Sequence, residues 1–364
     1  MILDRYFAWR FVKVFLAVLG IFALLVVFIG MADTLRRFAD DAVGFGGIVR
    51  LSLLNAPASL YQIMPLIVII AAISLFLGLA RTSELVVARA AGRSGMRILV
   101  APLIVAVMIG GVGITVLNPI VAATARQYEA QVANIEGTGS VLALSDTGLW
   151  LRQGGDPGQT VIHAARADLS GTSLSQVTFL TFGVDGLPLA RVVADTANLS
   201  DGLWQLRSVK TWPLDGNGNP EALATTADTA AIPSTLTADE IRNSFGTPSS
   251  IPIWDLPAFI DRLQEAGFTA QRHKVWFQME LSQPAFLAAM VLIGAAFTMR
   301  PQRAGKTGLN IMFAVLVAFG IYFIRNFAQI LGDNGDIPAA LAAWVPPIAA
   351  SGLALGLLLQ REDG

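Results

Sequence analysis

The chain has 364 residues, of which 54% are hydrophobic and 14% charged, and its formal net charge is −1. This composition is typical of a membrane protein that crosses the bilayer several times. The near-neutral charge argues against a nucleic-acid partner, and the absence of cysteine excludes disulfides, thiol catalysis and cysteine-based metal sites.

Six uncharged apolar runs are each long enough to cross a hydrocarbon core of about 30 Å. They are residues 14–32, 51–80, 98–125, 281–299, 307–324 and 337–360. Charged residues precede the first run and no small-residue cleavage site follows it, which favours a retained helix over a signal peptide. The sequence therefore predicts a polytopic α-helical membrane protein with six transmembrane helices, three before and three after a long polar insertion.

The outer end of the first predicted span carries Arg36 and Arg37 next to Phe38. Paired guanidinium groups bind phosphate in a bidentate manner, and charge at a membrane interface is costly without a partner. An anionic amphiphile is one predicted ligand. Snorkelling of the arginines, or pairing with the nearby Asp33, Asp40 and Asp41, is the alternative.

A short basic segment, residues 81–97, separates the second and third spans and must lie at a membrane face. Thr82 or Ser83 can cap a helix there, Glu84 would occupy its first turn, and Gly92 can end it. A helix of about ten residues is marginal without a packing partner. The segment therefore predicts a helix at about 82–92 that docks into another protein. A loop whose arginines serve only membrane topology is the alternative.

The distribution of basic residues predicts the orientation. With the N-terminus inside, eleven lie on the cytoplasmic side, and three lie in short external loops, namely Arg36, Arg37 and Arg50. The eleven are Arg5, Arg10, Lys13, Arg81, Arg89, Arg93, Arg97, Arg300, Arg303, Lys306 and Arg361. Both termini are expected in the cytoplasm.

The polar insertion, roughly residues 124–278, has alternating apolar and polar residues in short runs that glycine-rich and proline-rich turns separate. Clear runs begin at Ser140, Gly148, Thr160, Val177 and Leu203. This pattern predicts an external all-β domain, a sandwich or jelly roll, followed by an amphipathic helix at 255–266. The predicted domains are 1–125 (three spans and the 82–92 helix), 126–254 (the periplasmic jelly-roll-like domain) and 255–364 (the amphipathic helix and three spans).

Catalytic chemistry finds little support in the sequence, so the chain is not predicted to be an enzyme. His163 and His273 are 110 positions apart in different elements, which disfavours a metal site or a Ser-His-Asp triad. By topology, Arg126 and Arg325 share the membrane level of Arg36 and Arg37, so the four cations could line the mouth of a cavity. Apolar residues such as Met64, Phe323 and Phe327 would line its wall or simply face lipid.

Several stretches resemble the lipopolysaccharide export permeases of the LptF/LptG family, and the LptG branch in particular. They are, in chain order, ILDRYF, DTLRRF, RTSELVVARAAGRS, GSVLALSDTGLWLR, ELSQP and GDIPAALAAWVPP. The resemblance thus covers the whole chain, although LptF and LptG share fold and topology and either identity remains open.

The resemblance implies an inner-membrane permease subunit of an ABC transporter in a Gram-negative bacterium. Such a subunit pairs with an LptF-like permease, binds an LptB-like ATPase dimer, and passes lipopolysaccharide from the outer leaflet to an LptC-like periplasmic protein. ATP is used by the partner ATPase, and this chain is expected to bind no cofactor and no metal.

The resemblance also implies site residues. Glu84 matches the coupling-helix glutamate that meets the ATPase, and its predicted neighbours in that site are Ser83, Leu85, Arg89, Ala91 and Gly92. Lipopolysaccharide is expected at Arg36, Arg37 and Arg126, with Met64, Phe323 and Phe327 on the apolar side. Two basic positions of some relatives are absent, because Gly30 and Met31 occupy one neighbourhood and Glu129 the other.

Two other functions are weighed against this one. An ion-driven secondary transporter would need acidic or histidine residues within its spans, and the six predicted spans contain none. A scaffold that recruits envelope proteins through an edge strand of the β-domain is the other alternative.

Overall fold

The computed structural model describes residues 2–38, 43–136, 142–145, 148–155, 158–167, 172–183, 185–200, 202–214, 219–234, 236, 247–265, 269–299 and 307–362. The chain forms two compact units. The first unit consists of Met1–Glu129, Ser249–Trp254 and Gln271–Gly364, and the second of Ala130–Pro248 and Asp255–Ala270.

The helices in chain order are α1 Ile2–Arg37, α2 Phe45–Gln62, α3 Met64–Arg81, α4 Glu84–Ala90, α5 Gly95–Val112, α6 Asn118–Glu136, α7 Leu256–Glu265, α8 Gln271–Thr298, α9 Thr307–Asn334 and α10 Ala339–Glu362. A π-helical turn, Gly113–Leu117, joins α5 to α6. Among the described residues, six helices are long and apolar enough to cross a membrane: α1, α3, α5 continued into α6, α8, α9 and α10. The predicted six spans are thereby confirmed.

The second predicted span, 51–80, differs from the structure because it is two helices rather than one. The break is at Ile63, whose backbone angles of −90° and 4° fall outside the helical region. Pro65 follows in the first turn of α3, where its missing N–H costs nothing and its fixed φ favours a helix start. After the bend, α3 packs against α8 as well as α1, whereas α2 packs mainly against α1.

The centre of the first unit is α8, which packs against α3, α5, α9 and α10. Most of its apolar residues are buried, as expected for a helix that has neighbours on several sides. Glycine permits the closest approaches: a Cβ on Gly110 of α5 would lie 2.5 Å from the Cα of Pro284 in α8. By contrast, α1 buries one stripe, Phe7, Phe11 and Phe15, and leaves most of its apolar surface exposed.

The second unit contains seven described strands: β1 Leu142–Ser145, β2 Gly148–Gly155, β3 Gly158–Ala167, β4 Ser173–Gly183, β5 Pro188–Ser200, β6 Leu203–Pro213 and β7 Thr225–Pro233. They form one antiparallel sheet whose spatial order is the sequence order. Alternate residues of β4 and β6 are buried, and Phe179 meets Trp204 edge-to-face at 6.1 Å. One sheet face therefore supplies the apolar core.

The prediction of an inserted all-β domain is confirmed, and the runs beginning at Ser140, Gly148, Thr160, Val177 and Leu203 correspond to β1, β2, β3, β4 and β6. The structure adds β5 and β7. It also refines the jelly-roll prediction, because each described strand pairs with its neighbour in sequence and the connectivity is that of a meander. The predicted amphipathic helix is α7, which buries Leu256, Ile260 and Leu263 and belongs to the second unit.

Candidate functional site

The short helix α4 ends as the sequence predicts, at a glycine. Gly92 has a φ of +80°, its N–H donates to the carbonyl of Arg89, and the N–H of Arg93 donates to the carbonyl of Ala88. These two hydrogen bonds form a Schellman motif. At the start, Ser83 has a left-handed φ of 57° and makes no side-chain cap, so the predicted cap at this residue is wrong. The Thr82 hydroxyl instead donates to Glu84 Oε1 at 2.7 Å.

The two faces of α4 have different environments. Leu85 and Ala88 are buried in the apolar core of the first unit, so the predicted coupling residue Leu85 points inward. The opposite face, here called the docking face, comprises Val86, Val87, Arg89 and Ala90. The exposed fractions of Val86 and Val87 are 51% and 68%. The other predicted coupling residues, Ser83, Arg89, Ala91 and Gly92, are also exposed.

The carboxylate of Glu84 is bound within the chain. Arg10 Nη1 donates to both of its oxygens, at 2.5 and 2.6 Å, and the Tyr6 hydroxyl donates to Oε2 at 2.9 Å. Arg10 Nη1 also lies 2.7 Å from the Tyr6 oxygen. We call Tyr6, Arg10 and Glu84 the clamp, because they join α4 to the first turns of α1. A second ion pair, Arg93 with Asp4, joins the same two segments.

The environment of Glu84 predicts how the clamp responds to pH. Burial raises the pKa of the Glu84 carboxyl, but hydrogen bonds from Arg10, Thr82 and Tyr6 outweigh burial and hold the pKa below its ordinary range. In the unfolded chain the pKa of a glutamate carboxyl is about 4.3. Because the pKa of Glu84 is lower in the folded state, its carboxylate stabilises the fold fully at pH values above about 4.3. That stabilisation is lost as the pH falls through the pKa of the folded state. We therefore expect the difference in thermal unfolding midpoint between the wild type and Glu84→Gln to be constant from about pH 6 to 8. It should shrink below about pH 4, and a difference that shrinks between pH 8 and 6 would contradict the assignment.

The predicted lipopolysaccharide-binding arginines are exposed. Arg36 and Arg37 form the last turn of α1, at its far end from the clamp, and Arg126 is on α6. The guanidinium of Arg37 lies 5.3 Å from the ring centroid of Phe38, a cation–π distance. Two of the predicted alternative partners, Asp40 and Asp41, lie outside the described residues.

The apolar residues predicted to contact lipopolysaccharide, Met64, Phe323 and Phe327, lie in two places. Met64 is buried and lines an apolar cavity of about 610 Å³ between α1, α2, α5 and α6, with Phe15, Pro57, Tyr61 and Val105 among the lining residues. Phe323 and Phe327 lie instead on the outer face of α9, with exposed fractions of 64% and 55%. The structure therefore does not bring Met64 together with the two phenylalanines.

A buried polar cluster was missed by the sequence reasoning. Glu280 on α8 accepts a hydrogen bond from the Tyr61 hydroxyl and interacts with the Asn118 amide. Nearby, Arg325 Nη2 donates to Gln283 Oε1 at 2.9 Å, and its guanidinium lies 4.9 Å from the centroid of Phe286. Glu280, Gln283 and Arg325 line a second cavity, of about 440 Å³, with a half-polar wall.

This cluster corrects two expectations. The helix of the fourth span begins at Gln271 rather than Leu281, so it carries an acidic residue, Glu280, that the predicted run did not include. Arg325 is half-buried, whereas Arg36, Arg37 and Arg126 are exposed and line neither of the two cavities described above. The sequence did contain one sign of this cluster. Trp276, Glu280 and Gln283 are spaced so that they share one face of a helix, and all three line the polar cavity.

Comparison with known proteins gives matches over nearly the whole chain. The sequence profile of the family "Lipopolysaccharide export system permease LptF/LptG" matches residues 5–360. The chain is similar to the lipopolysaccharide export system permease protein LptG of Haemophilus influenzae, with 26% identity over 375 aligned positions and 99% of each chain covered. It is also similar to LptG of Escherichia coli K12, with 24% identity over 371 positions and 99% of each chain covered. With a match of this extent, six apolar helices and an inserted β-domain, the chain belongs to the LptF/LptG family of lipopolysaccharide export system permeases.

Proposed function

We propose that this chain is one of two transmembrane subunits of an ATP-driven lipopolysaccharide exporter in a Gram-negative inner membrane. It pairs with an LptF-like permease and is driven by a dimer of LptB-like ATPases that hydrolyse the ATP. The lipid leaves the outer leaflet and passes to an LptC-like periplasmic protein. This chain itself binds no cofactor and catalyses no reaction.

The observation that carries the proposal is the docking face of α4. A seven-residue helix is too short to be stable alone, and here Leu85 and Ala88 anchor it to the bundle while Val86 and Val87 stay exposed. Exposed apolar residues on a fixed helix beside basic side chains suit a cytoplasmic protein partner. The partner ATPase is the occupant that the family membership favours.

Contacts within the first unit support the proposed orientation. The clamp and the Asp4–Arg93 pair hold the N-terminal turns of α1 beside the segment that contains α4. The basic residues of these two segments therefore lie at one end of the bundle, as the positive-inside rule expects of a cytoplasmic face. Arg36 and Arg37, at the opposite end of α1, would then face the periplasm.

The exposed arginines support an anionic lipid substrate. Arg36, Arg37 and Arg126 are exposed and carry the guanidinium groups that bind phosphate well, and the apolar cavity beside Met64 has a size that suits acyl chains. Phe323 and Phe327 on the outer face of α9 would contact acyl chains only if a second subunit closes the space beside them. A paired permease would provide that second wall.

The test is gentle detergent purification of the tagged chain from its native membrane, followed by mass spectrometry of the proteins and lipids that accompany it. We expect a separate ATPase, a second six-span permease and lipopolysaccharide. The variant Val87→Asp should lose about 90% or more of the ATPase, since an apolar contact is replaced by a buried charge. Leu187→Asp, an equally exposed leucine in the β-domain, is the matched control and should retain it. Recovery of the chain with periplasmic proteins but never an ATPase would favour the scaffold alternative.

A second candidate function, ion-driven transport, has one observation in its favour. Glu280 lies within a membrane-spanning helix, as ion-coupled transporters require of an acidic residue. Transport by the purified complex in vesicles separates the two functions. Export that needs ATP and ignores a proton gradient supports the exporter, and export that follows the gradient without ATP supports an ion-driven transporter.

A further inference from the structure

The polar cavity beside Glu280 contains two opposite charges that bind different partners. Glu280 accepts a hydrogen bond from Tyr61, whereas Arg325 Nη2 donates to Gln283 Oε1 at 2.9 Å. Both charged groups line the same volume of about 440 Å³, which falls within the usual range of ligand sites, about 300–1,000 Å³. Charged side chains within a membrane span are costly and commonly mark a binding site or a pathway.

Hydrogen-bonding capacity remains unused on both sides of this cavity. Within the part of the chain that the structure describes, Arg325 Nε and the indole Nε1 of Trp276 are buried and have no hydrogen-bond partner. Glu280 binds Tyr61 and interacts with Asn118, although a carboxylate can accept about four hydrogen bonds. A buried donor without a partner destabilises the protein unless a ligand or water binds it. The cavity therefore offers two donors to an anion and an acceptor to a cation.

Two interruptions of the surrounding helices meet beside this cavity. Tyr61, which lines it, lies two residues before the break at Ile63, and α6 begins at Asn118 directly after the π-helical turn. A Cβ on Gly113 of that turn would lie 3.6 Å from the ring of Tyr61. Irregular backbone at membrane depth is tolerated where it lines a cavity, and π-helical turns are common at functional sites. The backbone thus supports a binding site at the same place as the unpaired donors.

The cavity lies in one leaflet of the membrane rather than at its midplane. The start of α8 meets the end of α9, because Gln271 Nε2 donates to the carbonyl oxygen of Gly332 at 2.9 Å. Glu280 and Arg325 are each nine residues from those ends, which is about 14 Å along helices of about 42 Å. Half of the cavity wall is apolar. An amphiphile from that leaflet therefore suits the cavity better than a free ion.

We propose that this cavity binds the headgroup of a zwitterionic phospholipid of the bilayer, with its phosphate at Arg325 and Trp276 and its ammonium at Glu280. Guanidinium and indole N–H groups donate to phosphate oxygens, and an ammonium group donates to a carboxylate. The apolar half of the wall contacts the glycerol and the first acyl carbons. Because the lining residues come from α2, α6, α8 and α9, the lipid joins four helices. The site uses neither the docking face nor the exposed arginines, so it is independent of the proposed exporter function.

Lipid binding by the purified protein tests the site. The full chain, with the subunits that accompany it, is delipidated in detergent and titrated with phosphatidylethanolamine or with phosphatidylglycerol, and native mass spectrometry gives the Kd of the tightest-bound lipid. Phosphatidylglycerol has the phosphate but no ammonium group. The wild type should therefore bind phosphatidylethanolamine about tenfold more tightly, the value of one hydrogen bond to a charged group.

Three variants separate the contacts with the two ends of the headgroup. Glu280→Gln keeps the shape but removes the negative charge, so the two lipids should bind within about twofold of each other. Trp276→Phe should weaken both lipids about fivefold, and Arg325→Gln about tenfold or more, because each loses a phosphate donor. Arg272→Gln is the matched control, an exposed arginine of α8 that does not line the cavity, and should leave both unchanged. Trp276→Phe keeps an aromatic ring, so it tests the site even if Arg325→Gln does not fold.

Four results would overturn the proposal. Equal binding of the two lipids by the wild type would show that no ammonium group is recognised. Unchanged binding in both Glu280→Gln and Trp276→Phe would place the tightest-bound lipid elsewhere. If phosphoethanolamine without acyl chains displaces the lipid at equal concentration, the ligand is a soluble molecule. If lipopolysaccharide displaces it and shows the same dependence on Glu280 and Arg325, the cavity holds the transported lipid instead of a lipid of the bilayer.

Discussion

Replacement of Gly110 by alanine is expected to destabilise the transmembrane unit by about 1–3 kcal/mol, the usual cost of overpacking a core. The added Cβ would lie 2.5 Å from the Cα and 2.9 Å from the Cβ of Pro284. The first of these atoms belongs to the backbone of α8, so no side-chain rotation can relieve the clash. Helices α5 and α8 would have to separate along a buried contact at the centre of the unit.

The neighbouring glycine provides the control for this substitution. A Cβ on Gly111 meets nothing within 4 Å, so Gly111→Ala should be neutral or slightly stabilising, because alanine favours the helix by about 0.5–1 kcal/mol. Both variants are heated in detergent, and the fraction that remains monodisperse is followed by size-exclusion chromatography. Equal midpoints for the two variants would show that α5 and α8 do not approach at Gly110.

Replacement of Glu280 by alanine is expected to lower the free energy of unfolding by about 1–3 kcal/mol for each buried donor that loses its acceptor. The Tyr61 hydroxyl and the Asn118 amide both depend on this carboxylate. Asn118 has a further role, since its Oδ1 accepts a hydrogen bond from the N–H of Ile253 at 2.9 Å. Loss of Glu280 should therefore loosen the contacts among α2, α6 and the 249–254 segment.

Three variants separate the loss of the acceptor from the loss of volume. Glu280→Gln keeps an acceptor of the same shape and should cost less than Glu280→Ala. Tyr61→Phe removes one donor, and its combination with Glu280→Ala should cost less than the sum of the two single changes, because the removed groups are partners. If the shift in thermal midpoint of the double variant equals the sum of the two single shifts in the same heating assay, the two side chains do not interact.

The sequence determined the features that depend on local patterns. Uninterrupted apolar runs of sufficient length must cross a bilayer as helices, so all six spans could be predicted. Alternation and turn residues predicted the β-domain, and Gly92 marked the end of α4 because only glycine adopts its positive φ without strain. The alternating pattern was weaker in the exposed strand β7, which explains why it was not predicted.

The tertiary structure decided which polar groups are partners. Sequence could place Glu84 in the first turn of a short helix, but its bond to Arg10 joins residues 74 positions apart and has no local signature. The same holds for Glu280 and Tyr61, 219 positions apart, and for the approach of Gly110 to Pro284. Hydrophobic length and backbone conformation are properties of neighbouring residues, and sequence shows them directly. The contacts that hold α4 against α1, and Glu280 within the bundle, arise only when distant segments pack together.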